Sequence, residues 1–157
     1  MKSLQAYTSL IEKIFLIGLI VGVLFIILHM DPFDVTVTSV SLFGLALAFF
    51  LSAYKPGEIK TDDGRSAGMK EMLAFVIVPK VLWISSSVSL VGIALLVLGS
   101  DSRGYQQMLF IGGSTLAVAI LIALFISVTE KNSASVLKPV LLRAVPVLLA
   151  DLYFFLG

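Results

Sequence analysis

The sequence contains no cysteine and only one histidine, His29. Without cysteine the chain has no disulfides, thiolate metal sites or cysteine nucleophiles, and one histidine cannot form a histidine cluster around a metal ion. Charged residues make up 13% of the 157 residues, about half the share that is usual in soluble domains. The formal net charge of +1 provides no basic surface stripe, so we expect no nucleic-acid partner.

Apolar residues are abundant instead, at 59% of the chain, with a mean hydropathy of +1.07. About 20 apolar residues cross a hydrocarbon core about 30 Å thick. Four runs approach or reach that length, so the sequence predicts an all-α membrane protein with four transmembrane helices. The first run is long for a signal peptide, and we expect it to be retained. The predicted spans cover residues 14–30, 35–54, 80–99 and 107–128.

Short connections group these spans into two tandem hairpins. Residues 31–34 join the first two spans and residues 100–106 join the last two, so the helices of each pair must be antiparallel neighbours. In each hairpin a ten-residue stretch from a glycine to an aspartate leads out of the first helix. The two stretches, residues 22–31 and 92–101, are 70 positions apart. A polar connection, residues 55–72, separates the hairpins. The pattern indicates a repeated transmembrane hairpin.

Two further segments are predicted to be helices at the membrane surface. Apolar residues recur at helical spacing in residues 1–13, which favours a short interfacial helix, with a disordered tail as the alternative. Pro79 removes a backbone donor, so we expect a break there and a second interfacial helix over residues 69–78. The chain is therefore divided into residues 1–13, 14–54, 55–78, 79–129 and 130–157.

The carboxyl-terminal segment, residues 130–157, allows two interpretations. Residues 137–157 are apolar but are interrupted by two lysine or arginine residues, two prolines and Asp151. One interpretation is an interfacial or re-entrant helix, and the other is a fifth span of barely sufficient length. We favour the interfacial or re-entrant helix.

The positive charges predict an orientation. Ten of the eleven lysine and arginine residues fall on one side of the predicted spans, and only Arg103 falls on the other. Lysine and arginine accumulate in cytoplasmic loops. We therefore expect a bacterial inner-membrane protein whose amino terminus and 55–72 connection lie in the cytoplasm.

Small residues recur at four-residue spacing within the spans. Membrane helices associate through close backbone approach, because lipid tails are as apolar as leucine side chains. These residues are therefore candidates for helix packing, either within the chain or against a partner helix. The candidates are Gly18, Gly22, Gly44, Ala48, Ser52, Gly113 and Ala117.

Three polar residues are candidates for function. His29 lies at the outer end of the first span, where it could be an interfacial residue or handle protons. Lys80 lies at the cytoplasmic edge, where it is an anchor or part of a site. If the last segment spans, Asp151 lies deep and needs a partner or a role, whereas at the interface it is solvated.

The first hairpin resembles that of a known family. Gly22, Leu24, Phe25, Ile27 and His29, followed by a turn and a helix ending in the Phe49–Pro56 pattern, resemble the transmembrane hairpin of the GldL family. GldL is the inner-membrane motor subunit of gliding motility and type IX secretion in Bacteroidetes. The resemblance covers residues 22–56. Its motor charges are replaced by Ile26 and Leu45, so the resemblance implies a shared scaffold without motor activity.

These features favour a non-enzymatic structural or accessory subunit, with neither a metal site nor a cofactor predicted. Its expected partners are the lipid bilayer and other membrane subunits or further copies of the chain. The alternative is a small transporter or channel component that uses His29, Lys80 or Asp151.

Cysteine substitution tests the orientation in this cysteine-free chain. Thr61→Cys and Ser133→Cys should be protected from an impermeant thiol reagent added to intact cells, whereas Ser102→Cys should react. The unsubstituted protein is the control, because it contains no cysteine. The opposite labelling pattern would contradict the orientation.

Overall fold

The computed structural model describes residues 2–29, 33–54, 72–100, 103–129 and 131–156. The described residues are almost entirely helical and contain no strand, which confirms the predicted all-α class. Five helices are long and apolar enough to cross a membrane. The elements are α1 (Lys2–Ile27), α2 (Phe33–Ala53), a π-helical segment (Leu73–Ile77), α3 (Val78–Val97), α4 (Gly104–Thr129) and α5 (Lys131–Leu156).

Helices α1 and α2 pack against each other in antiparallel directions. Along α1, Gly18 faces Ser41 of α2, and one turn later Gly22 faces Thr38. A Cβ atom added to Gly22 would lie 2.9 Å from the backbone nitrogen of Thr38. Only a glycine permits this separation, so α1 and α2 are in backbone contact here.

Helices α3 and α4 form the second antiparallel pair. Gly92 of α3 faces Leu109, and Gly112 of α4 faces Ser89, so the residue order is opposite in the two helices. A Cβ atom on Gly112 would lie 2.8 Å from the Ser89 backbone nitrogen. Glycine therefore brings the backbones together in this hairpin as well.

Helix α3 is the centre of the bundle, because it packs against α2, α4 and α5. Its contact with α2 joins the two hairpins. The Ser87 hydroxyl donates a 2.8 Å hydrogen bond to the Ala46 carbonyl, and the rings of Phe49 and Trp83 meet edge to face at 4.9 Å. The order of these contacts makes α2 and α3 antiparallel.

The carboxyl-terminal segment is a long helix of the bundle. It is one continuous helix of 26 residues, α5, which packs against α3 and α4. Its stretch Ser135–Leu156 is long and apolar enough to cross a membrane. Pro139 and Pro146 lie inside the helix without ending it, since packing against neighbouring helices offsets the lost backbone bonds. These dimensions fit the fifth-span alternative.

The two predicted interfacial segments are continuous with the helices that follow them in the described residues. Residues 2–13 belong to α1, which continues to Ile27 because no proline or glycine interrupts it before Gly18. The π-helical segment leads directly into α3, and the Val78 N–H bonds to the Leu73 carbonyl. A π-helical turn is wider than an α-helical turn, and here it accommodates Pro79, which has no backbone N–H to donate. The 55–71 connection lies outside the described residues.

The first helix of each hairpin ends in the same way. His29 and Gly99 have φ values of 53° and 69°, and both follow the last turn of their helix. The Gly99 N–H bonds to the Leu96 carbonyl, and the Ser100 N–H bonds to the Leu95 carbonyl, which is a Schellman cap. These two caps lie 70 residues apart, as do Gly22 and Gly92. The aspartates of the predicted repeat, Asp31 and Asp101, lie outside the described residues.

The antiparallel order brings the amino-terminal halves of α1, α3 and α5 to one end of the bundle. Three exposed lysines, Lys13, Lys80 and Lys138, lie towards this end, which we call the basic end. The opposite end, which we call the distal end, carries His29 and Arg103, and both are exposed.

A cysteine at the end of α5 tests whether this helix crosses the membrane. Leu156→Cys should react from the same side as Ser102→Cys, because a spanning α5 brings residue 156 to the distal end. Ser133→Cys, at the other end of α5, should react only from the opposite side. If both α5 cysteines react from one side, α5 does not span.

Candidate functional site

The small residues predicted for packing lie mostly in contacts within the chain. Gly18 and Gly22 face α2, and Gly44 faces the Phe15 ring of α1. Ala48 is buried in α2, and its carbonyl accepts a 2.9 Å hydrogen bond from the Ser52 hydroxyl. The three glycines therefore pack α1 against α2 within this chain.

The remaining small residues lie on α4. Ala117 is half-buried. Gly113 is buried and faces α5, whereas its neighbour Gly112 faces α3. Two adjacent glycines therefore let three helices meet at one level, which we call the glycine junction.

Asp151 lies at the glycine junction. A Cβ atom on Gly113 would be 2.7 Å from Oδ1 of Asp151 and 3.0 Å from its Cγ. The aspartate side chain is only 1% exposed, and Ser89 beside it on α3 is fully buried. The carboxyl group therefore occupies the space that the missing glycine side chain leaves.

The polar atoms at the junction are incompletely paired. The Ser89 hydroxyl lies close enough to the Asp151 carboxyl to interact with it, but neither Ser89 Oγ nor Asp151 Oδ2 makes a hydrogen bond of normal geometry. Buried polar groups without partners are energetically costly, and an isolated buried carboxylate is far more so. Both groups retain the capacity for a further hydrogen bond, and Asp151 also for a proton or a cation.

The lysine and arginine side chains that the structure describes do not compensate Asp151. Among the described residues, no lysine or arginine forms an ion pair with it. Arg143 is two turns earlier on α5, about 12 Å along the helix axis, and it pairs with Glu12 instead. Asp151 is thus a buried acid at a three-helix contact, and this is the arrangement that calls for a structural or a functional reason.

Arg143 forms a second polar contact, nearer the basic end. Its Nε donates to Oε1 of Glu12 on α1 at 2.5 Å, and its guanidinium lies 6.0 Å from the Trp83 ring centre on α3. Three helices therefore meet at this side chain too. No local sequence pattern indicates this contact, because Glu12 and Arg143 are 131 positions apart.

His29 and Lys80 do not approach Asp151. His29 is exposed at the end of α1, and its Nδ1 lies 3.2 Å from the Ile27 carbonyl. Its left-handed backbone makes it a helix cap. Lys80 is exposed near the start of α3. The three predicted polar residues therefore lie at separate places and do not form one site.

The serines of α3 make local or interhelical bonds. Ser85 donates to the Val81 carbonyl at 2.7 Å, which is the back-bonding expected of serine in a helix. Ser87 bonds to α2, as described above. Ser89 differs from both because its hydroxyl has no hydrogen bond. Among the described residues, no group of three or more histidine, aspartate or glutamate side chains could hold a metal ion.

No protein-family model, curated protein or solved structure matches this chain. The resemblance to GldL therefore stays a prediction. Of the two positions where GldL carries motor charges, Leu45 is buried in the core and Ile26 is exposed.

Substitution of Gly113 tests the glycine junction. Glycine to alanine inside a helix ordinarily stabilises it by about 1 kcal/mol, but here the methyl group must displace the Asp151 carboxyl. Overpacking of this kind costs about 1–3 kcal/mol. Gly113→Ala should therefore lower the midpoint of thermal unfolding in detergent. In an Asp151→Ala background the space is free, and the same substitution should be neutral or stabilising.

The exposed neighbour supplies the control for this double-mutant cycle. Ser114→Ala changes an exposed residue on the same helix and should leave the midpoint unchanged in both backgrounds. If Gly113→Ala costs the same with and without Asp151, the two residues are not coupled, and Asp151 does not limit the approach of α4 and α5.

Proposed function

We propose that the chain is a small, non-enzymatic integral protein of a bacterial inner membrane. In this proposal it is an accessory subunit that packs through α1 against a membrane helix of a partner chain. The observation that carries the proposal is the peripheral position of α1. Within its span Thr8–Ile27, 6% of the most hydropathic stretch is buried, against 56% for α2.

The uncovered surface of α1 is continuous and apolar. Ile17, Ile20 and Leu24 follow one another at helical spacing, and each is about half exposed or more. On the other face, Gly18 and Gly22 contact α2. The Glu12–Arg143 pair also ties α1 to α5. A helix held in this way presents a fixed surface to its surroundings, as a subunit interface requires.

The repeat also favours a partner helix that packs against the first hairpin. Gly22 and His29 of α1 correspond to Gly92 and Gly99 of α3, so the α1–α2 pair corresponds to the α3–α4 pair. Helix α5 packs on α3 and α4. Among the described residues, no helix packs in the same way on α1 and α2. A partner helix at that place would complete the first hairpin as α5 completes the second.

The orientation is part of the proposal. The exposed lysines Lys13, Lys80 and Lys138 at the basic end favour placing that end in the cytoplasm. With five spans, the carboxyl terminus would then lie on the outer side of the membrane.

Site-specific photocrosslinking in native membranes tests the proposed interface. A photoreactive side chain at Ile20 should yield one discrete protein adduct, because a packed partner helix lies within its reach. The matched control is Leu121, an exposed apolar residue of α4, which should yield lipid adducts. The mass of the adduct distinguishes a different subunit from a second copy. Lipid adducts alone at Ile20 would contradict the proposal.

Asp151 favours a second candidate function, a component of a proton or cation pathway. A buried carboxyl group with an unpaired oxygen is typical of ion-translocating membrane proteins. In the accessory-subunit proposal, the reconstituted protein alone takes no protons into liposomes, and Asp151→Asn keeps the fold because asparagine has the same shape. Proton uptake that Asp151→Asn abolishes would instead establish the pathway.

A further inference from the structure

A groove separates α4 from α5 near the basic end of the bundle. Its volume is about 570 Å³ and it is open to the surroundings. The walls are apolar except at Ser127 and Lys138. Its lining includes Leu124, Ser127, Lys138, Leu142, Val145 and Pro146.

The sequence of α4 accounts for both the glycine junction and the groove, because α4 has glycine at one level and larger residues at the other. At Gly113 the missing side chain lets α5 approach until Asp151 fills the space. Towards the basic end α4 has no glycine after Gly113, and Leu124 and Ser127 face α5 across the groove. Pro146 lies in its wall, where the helix lacks one backbone donor. The two helices thus meet closely at the glycine junction and leave an open groove on their surface nearer the basic end.

We propose that this groove binds one acyl chain of an anionic phospholipid, with the lipid phosphate held by the ammonium group of Lys138. The apolar walls suit a hydrocarbon chain, and Lys138 is exposed at the basic end of the groove. Arg143, the next cation along α5, is already engaged by Glu12. Basic pockets between membrane helices are recognised sites for anionic lipid headgroups.

The size of the groove favours a lipid chain over a protein helix. Lys138 and Pro146 are eight residues apart, so the groove follows α5 for about 12 Å. A helix with its side chains is about 10 Å across, whereas an extended acyl chain is much thinner. One leaflet of the hydrocarbon core is about 15 Å thick, so the groove can hold most of one acyl chain that runs along the bundle.

The headgroup must supply the selectivity. An acyl chain leaves one apolar environment for another when it enters the groove, so no hydrophobic gain separates one lipid from the next. The attraction between a lysine and an anionic headgroup distinguishes anionic from zwitterionic lipids, by a factor of about five for one lysine. Loss of Lys138 should remove this preference and leave the fold unchanged, because its side chain is exposed.

Native mass spectrometry tests the proposal on the full chain. The protein is reconstituted in an equal mixture of phosphatidylglycerol and phosphatidylcholine and then released in detergent. The wild-type protein should retain phosphatidylglycerol preferentially, and Lys138→Gln should lower that preference about fivefold. Lys80→Gln, which removes another exposed lysine outside the groove, should leave it unchanged. Equal losses in the two variants would overturn the proposal, since they would reflect overall charge.

A second pair of variants tests the groove itself. Leu124→Trp fills the groove from α4 and should lower the retention of both lipids. Val118→Trp adds the same bulk at an exposed position of α4 outside the groove, and should have no effect. Thermal unfolding of each variant verifies that the bundle is intact. Undiminished retention in Leu124→Trp would show that the bound lipid lies elsewhere, whatever the outcome of the α1 crosslinking.

Discussion

Close backbone contact at glycine is the constraint on which the whole bundle depends. Between lipid tails, helices gain no hydrophobic free energy from association, so they must gain dispersion contacts and hydrogen bonds by approaching closely. Gly22 permits this between α1 and α2, and Gly112 permits it between α3 and α4. The two hairpins contact each other without glycine, through the hydrogen bond from Ser87 to the Ala46 carbonyl and the packing of Phe49 on Trp83.

The glycine junction determines where the Asp151 carboxyl group lies and also buries it, which costs free energy. Gly113 leaves a space next to α5 that a carboxyl group fills, and the same close packing excludes the carboxyl from the surroundings. An apolar side chain would avoid the desolvation penalty of a buried acid. A purely structural role for Asp151 therefore requires that its packing at the glycine junction and its approach to Ser89 offset that penalty. A functional role requires that a proton or an ion reach it between α3, α4 and α5.

The sequence predicts those features that depend on local composition. Hydropathy locates four of the five long apolar helices, with boundaries that differ by up to seven residues from those of the structure, and the short connections predict antiparallel neighbours. It fails where two local patterns compete. In α5, Pro139 and Pro146 indicate an interrupted helix, but contacts with α3 and α4 maintain it. The Glu12–Arg143 pair and the approach of Asp151 to Ser89 join distant parts of the chain, and no local pattern encodes them.

The position of α5 makes the bundle asymmetric. In each hairpin the first helix presents a glycine to the second, Gly22 to Thr38 and Gly92 to Leu109. Helix α5 then packs mainly on the second hairpin and reaches α1 through the Arg143–Glu12 pair, and α1 is left at the edge of the bundle. The presence of α5 beside one hairpin therefore gives the two hairpins surfaces of different character. The second hairpin gains a buried acid and a groove, and the first keeps an apolar face fixed by Glu12 and Arg143.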